Sequence, residues 1–299
     1  TDTSNRATVA VQGGALASSI TITGNGGGNT SSFNGGVDVT FANVTNASTN
    51  AAANIVVTGL ANAAKTLVDS NSGVYVSNGT VTAAGGDITI SGTGAGTGSY
   101  DSGVDVNKAS TVGTAAGAIH ITGVASQPAT GADNVGVRIA DALTRVRTAT
   151  GSIDITGSGG AGDAASGSGN IGVMITGTTA AQADQAFVEV TGNAASTITV
   201  VGTGGGNGAA SDKNLGVMVF YGSVTNASTN AGAAINVTGV GNGLGAGDDT
   251  ANDSNIGIGI ASGTISANGG NIGLTGTANG LNNDRGCQGQ AQELGQEGG

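Results

Sequence analysis

Short runs in which every second residue is aliphatic recur along the whole chain. One set has the form Ile-x-aliphatic-Thr-Gly or a close variant. It reads ITITG ending at Gly24, IVVTG at Gly59, ITISG at Gly92, IHITG at Gly123, IDITG at Gly157, ITVVG at Gly202, INVTG at Gly239 and IGLTG at Gly276. A second set, [Asn/Asp]-x-Gly-[Val/Ile]-x-[Val/Ile], falls between them, with its glycines at Gly36, Gly73, Gly103, Gly136, Gly172, Gly216 and Gly257. A weaker third element follows about eight residues later, at Val44, Val81, Val112, Leu143, Val224 and Ile265. A strict period of two puts alternate side chains on opposite faces, so each run predicts a short strand with one apolar face.

Successive glycines of the first set lie 31 to 45 residues apart. A unit of that size with three short strands cannot bury its apolar face alone, whereas stacked units bury it against one another. The pattern predicts an all-β parallel β-helix (β-solenoid) of about eight turns, roughly 35 residues per turn, over residues 1–280. Residues 281–299, LNNDRGCQGQAQELGQEGG, leave the pattern and are expected to form an irregular, disordered tail. The block VTNASTNA occurs twice, at 44–51 and 224–231, five units apart.

Two polar rows follow from the stacking. The residue two before each second-set glycine is Asn34, Asn71, Asp101, Asn134, Asn170, Asn214 or Asn255. Stacked at one corner, these would form a ladder of side-chain hydrogen bonds. Six amides to one carboxylate is a poor set for a hard cation, so a structural ladder is expected and no metal site. A hydroxyl row, Thr23, Thr58, Ser91, Thr122, Thr156, Thr238 and Thr275, is interrupted at Val201.

Composition sharpens this picture. There are 59 glycines, three Tyr, four Phe and no Trp among 299 residues. Glycine-rich stretches follow the Ile-x-Ile runs many times and no helical period follows them, which argues against a phosphate-binding loop. They read instead as turns that need positive φ and tight backbone approach. No cofactor is implied. The net charge of −11 with eight Lys and Arg leaves no basic patch for nucleic acid. No apolar run is long enough for a membrane span.

The sparse charges align across neighbouring units. Asp105 falls beside Arg138, Lys108 beside Asp141, and His120, the lone histidine, beside Asp154. Each is expected to be a cross-rung pair worth about 0.2–1 kcal/mol. Arg145 and Arg147 lie in the same stretch, but no aromatic sugar platform is visible beside them, and no catalytic residues are assigned. Thr-x-Thr pairs at Thr21/Thr23 and Thr89/Ser91 suggest ice binding more weakly, since Val56, Asp154 and Asn236 interrupt the row. Cys287 has no second cysteine to pair with.

The string SNGTVTAAGGDITISGTGAGTGSYDSGVDV at 77–106 resembles repeats of filamentous-haemagglutinin-like and autotransporter-like bacterial surface proteins. The GGDITISG and GVxV phrases carry the likeness, which spans roughly residues 8–280. The resemblance implies a right-handed β-helix, secreted or attached to a bacterial surface, that serves adhesion, a sheath or a fibre. The expected function is thus a non-catalytic extracellular structural module, its partners being other copies of itself or flanking repeats of a longer chain. A glycan-binding or polysaccharide-degrading β-helix centred near Arg138 is the alternative, with surface glycans as partners.

Overall fold

A computed structural model describes residues 6–27, 34–62, 70–127, 131–160, 169–206, 214–242, 255–279 and 285–289. The chain winds through eight turns of three strands. They are β1 (Ala7–Gly14), β2 (Ile20–Asn25) and β3 (Val37–Thr40); β4 (Ala42–Ser48), β5 (Ile55–Leu60) and β6 (Val74–Ser77); β7 (Thr80–Ala83), β8 (Ile88–Thr93) and β9 (Val104–Asn107); β10 (Thr111–Thr114), β11 (Ile119–Val124) and β12 (Val137–Ala140). The second half continues with β13 (Arg145–Thr148), β14 (Ile153–Ser158) and β15 (Val173–Thr176); β16 (Ala186–Val190), β17 (Thr197–Thr203) and β18 (Leu215–Phe220); β19 (Gly222–Asn226), β20 (Ala234–Asn242) and β21 (Ile256–Ala261); β22 (Thr264–Ala267), β23 (Asn271–Asn279) and β24 (Arg285–Gly289). Every third strand pairs in parallel, giving three eight-stranded sheets, here A (β1 to β22), B (β2 to β23) and C (β3 to β24). The fold is a right-handed parallel β-helix of about eight turns. At roughly 4.8 Å per strand the stack is about 34 Å long.

Register follows the aliphatic period. In sheet B, Ile20, Ile55, Ile88, Ile119, Ile153, Ile198, Ile235 and Ile272 meet directly, one above the next. In sheet C, Val37, Val74, Val104, Val137, Val173, Val217 and Ile258 do the same. Those from turns two to seven are fully buried or within 1% of it. Slipping a strand by one residue would turn its whole apolar set to water, so the columns hold the register.

Sheet A departs from the expected third element. Val112 stacks on Val146 and Val146 on Val188. Leu143 instead lies on an exposed corner with φ +62°. The corners before β13 and β16 are longer than the eight-residue spacing allows, and the second contains a short 3-10 turn at Gln182–Asp184. The duplicated VTNASTNA block builds the same corner twice. Asn46 and Asn226 turn into the core of sheet A, where each amide donates to backbone carbonyls, Asn46 to Ala53 at 2.9 Å and Asn226 to Ser196 at 2.8 Å. Ser48 and Ser228 likewise donate to Leu16 and Ala194, both at 2.6 Å.

The end of the chain also departs from expectation. Arg285–Gly289 is β24, paired in parallel with β21, so the eighth turn closes beyond residue 280. Cys287 takes the column position held by valine or isoleucine in earlier turns. Residues 281–284 and 290–299 of the expected tail lie outside the described residues.

The motif glycines serve close approach. Each first-set glycine lies in the second half of a sheet B strand and faces a glycine just before or inside the start of a sheet C strand. A Cβ built on the former would stand only 1.8 to 2.0 Å from the carbonyl oxygen of the latter, from Gly24 over Gly36 to Gly276 over Gly286. None of these glycines has positive φ. Left-handed backbone falls mainly to other residues, eleven of them non-glycine among those described. Most of them form two columns, one on each side of sheet C. Ser70, Tyr100, Asp133 and Gly169 precede the Asn row, and Phe41, Asn78, Lys108, Asp141, Tyr221 and Ser262 follow sheet C.

Candidate functional site

The Asn row comes together as a continuous chain of bonds. The backbone N–H of Asn34 donates to Asn71 Oδ1 at 2.9 Å, Asn71 to Asp101 Oδ1 at 2.8 Å, and Asp101 to Asn134 Oδ1 at 2.9 Å. Asn134 donates to Asn170 at 3.2 Å, Asn170 to Asn214 at 3.2 Å, and Asn214 to Asn255 at 3.3 Å. The links run from backbone to side chain. Amide-to-side-chain bonds between rungs add to them from Asn71 to Asp101 at 3.0 Å and from Asn214 to Asn255 at 3.4 Å. Asn71 through Asn255 are buried, so each bond after the first satisfies a backbone group that water cannot reach. Among the described residues no group of three or more His, Cys, Asp or Glu could hold a metal ion.

The charge pairs lie on two different faces. His120 Nδ1 is 3.1 Å from Asp154 Oδ2 on the outer face of sheet B, both about half-exposed. Arg138 Nη1 is 3.2 Å from both oxygens of Asp105 on the outer face of sheet C. The Lys108–Asp141 pair takes another form: the Lys108 backbone N–H donates to Asp141 Oδ2 at 3.3 Å. The Lys108 ammonium forms none of the ion pairs among the described residues. An ion pair that the alignment missed joins Arg145 to Glu189 at 2.8 Å on sheet A, with the guanidinium 4.3 Å from the Phe187 ring centroid. Arg147 lines a smaller depression of 310 Å³ on that face.

The larger concavity, 560 Å³, lies on sheet C. Its floor is the outward column Asp38, Tyr75, Asp105, Arg138 and Met174, neighbours in register on consecutive strands. One wall carries Tyr100 and Asp133 and the other Lys108 and Asp141, all four held in left-handed backbone. For a tyrosine that conformation is a genuine outlier, costing about 1–2 kcal/mol. The turn of the backbone there places the Tyr100 ring on the groove wall, 58% exposed. Two of the three tyrosines thus stand near Arg138, correcting the expectation that no aromatic would.

Electrostatics differ along the groove. The Asp105 side chain is only 12% exposed. Burial raises its pKa above the usual carboxylate value. The Arg138 guanidinium and the Asn107 amide, which donates to Oδ1 at 3.0 Å, oppose that rise without cancelling it. Asp133, on the exposed rim, is also raised by desolvation, opposed by a hydrogen bond with Tyr100.

No family model, curated protein or solved structure matches the chain.

Proposed function

We propose that this chain is a non-catalytic structural module of an extracellular surface adhesin, sheath or fibre, joined at its ends to further repeats or to other copies of itself. One observation carries this reading. Among the described residues three parallel sheets run through all eight turns, and β1, β2 and β3 at one end and β22, β23 and β24 at the other are paired on one edge only. An unpaired edge is a template for further pairing. Core columns end there uncovered: Val9 is 50% exposed and Leu274 is 41% exposed, while their counterparts inside the stack are buried. The placement of the charged pairs supports a role without catalysis, because His120–Asp154 and Arg138–Asp105 sit on separate faces and cannot meet on one substrate bond.

The test is sedimentation velocity and negative-stain microscopy of the purified chain over a range of concentrations. Rods longer than about 34 Å, lost in the Val9→Lys/Leu274→Lys variant, are expected. A chain that stays monomeric at every concentration would defeat self-assembly and leave flanking repeats as the only partner of the edges.

A further inference from the structure

We infer that the groove on sheet C binds a neutral, hydroxyl-rich oligosaccharide lying along the solenoid axis.

Its dimensions come first. A volume of 560 Å³ is within the ordinary range for small-ligand sites, roughly 300–1,000 Å³. The lining is drawn from five consecutive turns, Asp38 to Met174, which at roughly 4.8 Å per strand spans about 19 Å. A site this long suits a chain of small rings better than one compact molecule.

The chemistry narrows the class. Tyr75 and Tyr100 offer rigid ring faces that pack on apolar C–H surfaces, with a hydroxyl at the tip. Carboxylates, the Asn107 amide and the Arg138 guanidinium place acceptors and donors between them, as a ligand made of hydroxyls requires. Four carboxylates and two cations, Lys108 and Arg138, line the groove, inside a chain of net charge −11. That balance repels uronate-rich and sulfated chains. A cationic ligand is disfavoured by the Arg138 guanidinium on the floor, beside Asp105. All four carboxylates are also engaged, Asp105 by Arg138 and Asn107, Asp141 by the Lys108 N–H, Asp38 by the Thr40 hydroxyl and Asp133 by Tyr100. What remains complementary is an uncharged ligand that both donates and accepts hydrogen bonds.

The placement is also unlike the rest of the surface. The other outward columns are mostly Thr, Ser and small residues, yet six charged residues and two of three tyrosines collect here. Both walls carry left-handed residues, and strain of that kind persists where the surrounding structure holds it for use.

The experiment is a glycan array carrying neutral, uronate-containing and sulfated oligosaccharides, followed by calorimetric titration of the retained glycans, with spermine as a cationic control. Retention of neutral oligosaccharides is expected, weakened about tenfold by Tyr100→Asn and by Tyr75→Leu. Asparagine tolerates left-handed backbone, so Tyr100→Asn should keep its melting temperature and separate binding from folding. The proposal is overturned if no neutral oligosaccharide is retained, if acidic glycans or spermine bind in their place, or if both tyrosine variants bind as the parent does.

Discussion

Replacing Gly123 by alanine tests why the glycine rows exist. Gly123 is the penultimate residue of β11 and faces Gly136, which immediately precedes β12. An added Cβ would stand 2.0 Å from the Gly136 carbonyl oxygen and 2.7 Å from both its carbonyl carbon and Val137 Cγ2. Ordinary contact begins at 3.4 Å, so the two backbones would have to part by about 1.4 Å. Neither can yield alone. Gly123 is held in register between Gly92 and Gly157, and the Gly136 carbonyl accepts from Val104 N–H at 3.0 Å. Overpacking of this kind costs about 1–3 kcal/mol. A distorted ladder bond adds about 0.5–1.5 kcal/mol. The expected loss is therefore about 1.5–4.5 kcal/mol. Gly113→Ala is the matched control. Its Cβ would meet nothing nearer than Arg147 Cγ at 3.4 Å, and its φ is not left-handed. Reduced freedom of the unfolded chain should stabilise that variant by about 0.4–1 kcal/mol. Urea unfolding of both variants, followed by far-UV circular dichroism, reads the contrast. Equal stability of the two would refute the claim that the corner glycines are required by backbone approach.

Asp105→Asn should raise stability at pH 7, because burial outweighs Arg138 and holds the Asp105 pKa up. With a raised folded pKa, native Asp105 binds its proton more tightly than the unfolded chain does. Parent stability should therefore fall as pH rises from 3.8 through the folded pKa, and the advantage of the amide should vanish below 3.8. Thermal melts across pH decide it, and a variant less stable than the parent at pH 7 would show that the ion pair dominates. Asn170→Ala removes the acceptor of the buried Asn134 N–H. A loss of about 1–3 kcal/mol is expected, with hydrogen exchange quickening first around turns four and five. Arg145→Ala should cost about 0.5–2 kcal/mol through loss of Glu189 and the Phe187 ring face, read by the same urea titration in low and high salt.

Sheets B and C were legible because each strand contains or adjoins a glycine that admits no side chain, so motif and register coincide. Aligning the glycines places Ile88 on Ile119 and Val104 on Val137, as the strands pair. Sheet A has no such anchor. Its strand follows a corner of variable length, so Leu143 stood in for Val146 and Val188 went unseen. Strand β24 was hidden by Cys287 and Gly289 in place of two aliphatics, although Asp284-x-Gly286 repeats the second motif. The same alignment places Asp38, Tyr75, Asp105, Arg138 and Met174 in one column, two after each motif glycine, so the groove floor was available from the sequence. Tyr100 and Asp133 were not, because they reach the groove from corners through left-handed backbone that no spacing announces.

The asparagine rungs all point one way: every N–H reaches towards the carboxy-terminal neighbour, from Asn34 to Asn255. The two faces of the stack are therefore chemically unlike, and a joint that extends the rungs cannot be two-fold symmetric. It must set the last turn of one unit on the first turn of the next. An interface of that heterologous kind does not close on itself unless its rotation happens to complete a ring. Any polymer built on it would be polar, with distinguishable growing and trailing tips.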